Sequence, residues 1–115
     1  MTITLYGIPN CDTVKKARKW LEGNGVSYAF HDYKKAGADK DKLTNWIIEA
    51  GLDKVLNRAG TTFKKLPEEI RAMVDDNLAV SLMVENPSMI KRPIVEYKGG
   101  LLVGFKASEW ETALR

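Results

Sequence analysis

The chain has 115 residues, 44% of them hydrophobic, which gives room for one packed domain and argues against disorder. Its net charge of +3 is small and spread along the chain, without the clustered basic and aromatic residues of a nucleic-acid binder, so small anionic ligands suit it better than nucleic acid. A single cysteine excludes an intramolecular disulfide and points to a reducing compartment, so a cytoplasmic protein is expected. No stretch reads as a signal peptide, and no apolar run approaches the ~20 residues of a membrane span.

Residues 2–6 alternate and are rich in β-formers, which predicts a first strand. A tight loop follows from Gly7 to Thr13. Residues 12–23 then show helical spacing, with Val14, Ala17, Trp20, Leu21 and the stem of Arg18 on one face and Gly23-Asn24-Gly25 as the stop. Val26 to Tyr33 alternates again and predicts a second strand, parallel to the first because a helix joins them. A helix is expected over Lys40–Ala50, ended by Gly51, and a short helical turn over Leu52–Leu56. Thr61 to Leu66 reads as irregular. Pro67 belongs to the first turn of a helix that Glu68 and Glu69 favour at its positive end. Leu78–Glu85 predicts a further helix, closed by Asn86-Pro87. Pro93–Tyr97 and Leu101–Phe105 flank Lys98-Gly99-Gly100 as a hairpin, and a terminal helix starts near Ser108, a candidate cap. The fold class is therefore α/β (α+β). The order βαβ, helices, ββα builds a thioredoxin-like four-stranded mixed sheet, one domain over 1–115 with a helical insertion at about 38–86.

The single cysteine, Cys11, lies where the first strand hands over to the first helix. A thiol there faces unpaired backbone N–H groups and the positive end of the helix dipole, and both favour thiolate over thiol. Lys15 and Lys16 add positive charge in the first turn. The alternative is a buried cysteine acting as a small hydrophobe, the common fate of free cysteine. Its neighbours Pro9, Asn10, Asp12 and Thr13 are turn and cap residues, which favours a surface position and a reactive thiol. His31, in the second strand, reads as structural, and Trp20, Trp46 and Trp110 read as core or groove residues. One cysteine and one histidine make no zinc set, so no metal is expected.

Four stretches carry a resemblance: Leu5-Tyr6-Gly7-Ile8-Pro9-Asn10-Cys11-Asp12-Thr13-Val14-Lys15-Lys16-Ala17, Leu56-Asn57-Arg58, Asn86-Pro87-Ser88-Met89-Ile90-Lys91-Arg92-Pro93-Ile94-Val95, and Val103-Gly104-Phe105-Lys106. On these the chain resembles the ArsC/Spx family, the arsenate-reductase-like branch of the thioredoxin fold, and within it the YffB-type proteins. The resemblance implies that Cys11 is the catalytic cysteine and that Arg58 and Arg92 belong to the active site. A guanidinium fork suits oxyanions and carboxylates. It further implies a cis peptide before Pro93, and Lys106 in the place of a third arginine. Asn10, Thr13, Lys15, Arg58, Arg92, Pro93 and Lys106 form the expected substrate-binding set. Read without the resemblance, Arg58 is a surface ion-pair residue and Arg92-Pro93 an ordinary trans bond.

The chain also departs from the family pattern. Val14 stands where a C-x-x-C pair has its second cysteine, so a mixed disulfide at Cys11 needs an outside thiol. Arsenate reductases of the family carry a histidine where this chain has Gly7. The expected function is a glutathione-dependent monothiol thiol–disulfide reductase with Cys11 as nucleophile. The alternatives are an arsenate reductase using glutathione and glutaredoxin, and an Spx-like protein that binds the transcription machinery. Glutathione is expected as co-substrate and glutaredoxin as a partner, with no tightly bound cofactor and a monomeric state.

Overall fold

In this computed structural model residues 3–115 are described, and Thr2, the expected start of the first strand, lies outside them. The elements run β1 (Thr4–Gly7), α1 (Asp12–Gly23), β2 (Ala29–Asp32), α2 (Tyr33–Ala36), α3 (Lys40–Ala50) and α4 (Leu52–Val55). They continue with α5 (Thr61–Lys64), α6 (Glu68–Ala72), α7 (Asp76–Glu85), a 3₁₀ turn over Pro87–Met89, β3 (Ile94–Tyr97), β4 (Gly100–Val103) and α8 (Ala107–Leu114). Two compact units divide the chain. One joins the residues up to Ala36 with Arg92–Arg115, and the other is Gly37–Lys91.

The first unit holds a four-stranded mixed sheet in the order β2-β1-β3-β4. β1 pairs parallel with β2 (Tyr6 with His31) and antiparallel with β3 (Tyr6 with Ile94), and β3 pairs antiparallel with β4 (Ile94 with Val103). This is the thioredoxin-like arrangement expected from the order of elements. Side chains alternate across a sheet, so Leu5, Val95 and Leu102 share one face. That face forms the core with Val14, Ala17 and Leu21 of α1 and Trp110 of α8. The spacing 14-17-21 is the apolar stripe of an amphipathic helix, and all three residues are fully buried.

The second unit is helical. Asp39 caps α3, its carboxylate accepting from Asp41 N at 2.9 Å, and Asp75 caps α7 by accepting from Leu78 N at 2.8 Å. α3 lies against both α4 and α7. Leu43, Trp46 and Ile47 of α3 are buried, as are Ala79, Val80 and Met83 of α7. An antiparallel bridge between Leu56 and Ile90, with Asn57 N donating to Met89 O and Lys91 N to Val55 O (both 2.8 Å), ties its middle to its end.

Several sequence expectations need adjusting. The second strand was expected to reach Tyr33, but the Asp32 carboxylate accepts from Lys34 N at 2.8 Å, and this local turn starts α2 at Tyr33. Val26 is held instead at the end of α1, its N–H donating to Leu21 O at 2.9 Å. Thr61–Leu66, read as irregular, contains the one-turn helix α5, which buries Phe63. Pro67 is the N-cap of α6 rather than a residue of its first turn. The hairpin turn is Lys98-Gly99, with Gly100 already in β4 opposite Tyr97. Lys106, not Ser108, caps α8, and the Ser108 carbonyl accepts from the Thr112 hydroxyl at 3.2 Å.

One close approach sets the height of α1 over β1. A Cβ on Gly7 would lie 2.8 Å from Cγ2 of Val14, a contact that real Cβ atoms do not make. Val14 is fully buried and has nowhere to retreat. Gly7→Ala is therefore expected to cost about 1–3 kcal/mol in urea unfolding. The double variant Gly7→Ala/Val14→Ala should lose less than the sum of the single losses. Additive losses would show that the two positions do not press on each other.

Candidate functional site

Cys11 is the N-cap of α1, with extended backbone (φ −84°, ψ 127°). Its N–H donates to Ile8 O at 3.2 Å and its carbonyl accepts from Lys15 N at 3.0 Å, so the backbone of the turn is fixed on both sides. The side chain makes no capping hydrogen bond, is partly exposed and packs against the core cluster. The first backbone N–H groups of a helix have no partner within it, and a thiol at the N-cap stands beside them. Asn10, Thr13 and Lys15 are exposed around it.

The sheet register brings three distant stretches to one end. Tyr6 pairs with Ile94, so one step further Pro93 runs beside Gly7, where the chain turns towards Cys11. Ile94 also pairs with Val103, so Gly104, Phe105 and Lys106 leave from the same end. The Arg92-Pro93 peptide is cis, as the resemblance implied. Pro93 is buried and Arg92 half-buried. Gly104 has φ +77°, a left-handed conformation suited to glycine. Its N–H donates to Pro93 O at 2.8 Å and its carbonyl accepts from the Trp110 indole at 3.2 Å. Trp110 in turn meets Phe105 and Trp20 edge-to-face, with ring centroids 4.8 and 5.9 Å away. A buried aromatic group thus braces the loop that follows β4. Lys106 is exposed, with Glu109 at 3.7 Å.

Arg58 belongs to the second unit. There its guanidinium is 3.3 Å from the Asp53 carboxylate and 5.8 Å from the centre of the Phe63 ring. The ion pair read from the residues alone is present, and an exposed pair of this kind contributes little to stability.

Two further clusters stand out in the structure. Lys19 continues the stripe begun by Lys15 and Lys16, a pattern legible in the spacing 15-16-19. On the sheet, Tyr6, His31 and Tyr33 form an aromatic group, with centroids of 4.9 Å for Tyr6–His31 and 5.5 Å for His31–Tyr33. The Tyr6 hydroxyl donates to Glu96 at 2.5 Å. Period-2 alternation puts His31 and Tyr33 on one face, but only the strand register shows that Tyr6 stands beside His31. The Tyr33 hydroxyl is buried and has no hydrogen-bond partner among the described residues. Burial pushes its pKa well above the ordinary value of 10.0, with the negative fields of Tyr6 and Glu96 acting the same way and Arg92 opposing them.

Comparison with known proteins places these features in a family. Residues 6–113 match the ArsC family, and the chain belongs to it. A solved YffB protein is 53% identical and superposes with a TM-score of 0.96, over 99% of this chain and 100% of the other. An uncharacterized protein of Haemophilus influenzae is 42% identical over 96% of this chain and 97% of its own. The global transcriptional regulator Spx of Streptococcus agalactiae is 29% identical over 93% of this chain and 79% of its own. No helix among the described residues is long and apolar enough to cross a membrane.

Tyr33→Phe removes a hydroxyl that bonds to no described residue, so stability at neutral pH is expected to stay level or rise by up to about 1 kcal/mol. A folded pKa raised above the unfolded value contributes stability that is present below pH 10 and fades as pH rises further. The variant should therefore lose less stability than the parent between about pH 9 and about pH 11. A loss of more than about 1 kcal/mol at neutral pH would mean that the hydroxyl makes a hydrogen bond.

Proposed function

We propose that this protein is a glutathione-dependent monothiol thiol–disulfide reductase. The observation that carries the reading is Cys11: a partly exposed thiol at a helix N-cap, in a chain whose position 14 is a fully buried valine and which has no second cysteine. The Cys11 thiolate attacks one sulfur of a mixed disulfide between a substrate and glutathione. The old S–S bond breaks, a Cys11–glutathione disulfide forms, and the substrate leaves as a thiolate that takes up a proton. The thiolate of a second glutathione attacks the glutathione sulfur, releasing Cys11 as thiolate and glutathione disulfide. One free glutathione thiol joins the glutathione already held in the mixed disulfide to give glutathione disulfide, and the substrate sulfur is released as a thiol.

Backbone N–H groups of Thr13 and Val14 support the departing Cys11 thiolate, as helix starts do for anions. The backbone of Arg92, half-buried just before Pro93, is offered to the peptide part of glutathione. Arg92 and Lys106, leaving the same end of the sheet, meet its carboxylates. Membership of the ArsC family supports a rival reading, arsenate reduction through a Cys11 adduct. Gly7 counts against it, because no imidazole stands at that position to support the thiolate.

Cys11→Ser should reduce glutathione-coupled disulfide turnover to the uncatalysed rate, and unchanged turnover would end the proposal. Arg92→Ala should raise KM for glutathione about tenfold, as loss of one charge-assisted hydrogen bond implies. Glutathione oxidation that requires arsenate and is absent with disulfides would establish the rival instead.

A further inference from the structure

The outward face of α1 carries an open concavity of about 520 Å³ lined by Asp12, Lys15, Lys16, Arg18, Lys19 and Glu22. Residues 12, 15, 16 and 19 share one side of a 3.6-residue helix, so the lysines form a stripe. It begins one turn after Cys11, since Lys15 N donates to Cys11 O. At 1.5 Å per residue the stripe runs from about 6 to about 12 Å along the axis from Cys11.

The cations in this stripe are not spent on structure. Lys15, Lys16 and Lys19 are exposed and form no ion pair among the described residues. Arg18 behaves differently. Its Nε donates to the Tyr28 hydroxyl at 2.9 Å, its guanidinium lies 4.1 Å from the centre of the Phe30 ring, and the Tyr28 hydroxyl donates to Glu22 at 2.7 Å. Glu22 is thereby tied to Tyr28 at the far end, and Asp12 is the acidic residue of the first turn. Between them lies a run of three uncompensated lysines.

We infer that the lysine stripe of α1 receives an acidic polypeptide segment that carries the disulfide to Cys11, so that the substrates of this site are disulfides flanked by glutamate or aspartate. Charge complementarity names the occupant, and the axial reach sets the acidic residues about 6–12 Å from the reacting sulfur, a span of two to four extended residues. This inference rests on Cys11 being the nucleophile, as proposed above. Glutathione keeps the other end of the exchange, at Arg92, Pro93 and Lys106.

The test uses three synthetic peptides, each with one cysteine held as a mixed disulfide with 2-thiopyridine. Residues two to four after the cysteine are glutamate, glutamine or lysine. Attack of the Cys11 thiolate on the peptide sulfur forms one S–S bond and breaks one. The leaving pyridine-2-thiolate takes up a proton, and its absorbance reports the rate. At low salt the glutamate peptide should react about tenfold faster than the glutamine peptide, and the lysine peptide slowest. The advantage should vanish in about 0.5 M salt and in Lys16→Gln/Lys19→Gln, while the rate with the glutamine peptide changes by less than about twofold. Equal rates for the three peptides, or an acidic advantage that survives in the double variant, would overturn the inference while leaving the nucleophile intact. If no peptide reacts faster with the protein than with free glutathione, the reading of Cys11 fails, and this inference with it.

Discussion

Everything around Cys11 depends on how close α1 comes to the end of β1. Val14 reaches into the core directly above Gly7, and only the missing side chain at position 7 lets it do so. The first turn of α1 is therefore set by a buried steric contact. Hydrogen bonds from Cys11 N to Ile8 O and from Lys15 N to Cys11 O then determine where the thiol emerges. A histidine at position 7, or a bulkier residue at position 14, is incompatible with this arrangement unless the helix moves. Gly7 and Val14 are thus coupled by one steric contact.

The opposite side of the site is built by a different means. The sheet register carries the buried Pro93 alongside Gly7, and the Gly104 N–H holds its carbonyl. The brace behind Gly104 is aromatic, with Trp110 both hydrogen-bonded to the loop and stacked edge-to-face on Phe105. The helix that carries the thiol and the aromatic brace behind the proline thus share one core, to which Val14 and Trp110 both belong.

Much of this was legible in the sequence because it is written in periods. The helix over 12–23, the glycine stop at 51 and the order of strands followed from spacing alone, and the boundaries of α1 and α3 agree with the structure. What could not be read depends on local hydrogen bonds or on partners far along the chain. Tyr33 looked like a strand residue until the Asp32 carboxylate turned the backbone. Ser108 looked like a cap, yet Lys106 occupies that place without a side-chain capping hydrogen bond. For the candidate site, the place of Cys11 at a strand–helix junction was legible locally. That Arg92, Pro93 and Lys106 leave one end of the sheet was not, since no local pattern announces which end of a sheet a residue will reach. The lysine stripe was half seen, because Lys15 and Lys16 were read as charge near a thiol and not as the start of a surface.

The middle of the sheet joins the two ends of the chain: Tyr6 and Glu96, 90 positions apart, are hydrogen-bonded to each other. Loops of that length are slow to close, and such long-range pairing raises the contact order. During synthesis the ribosome delivers Cys11 first and β3 near the end, so the central ladder cannot zip until almost the whole polypeptide has emerged. The thiol is thus among the first groups to enter the cell and among the last to find its finished surroundings. Nascent chains spend that interval with an unsheltered sulfur.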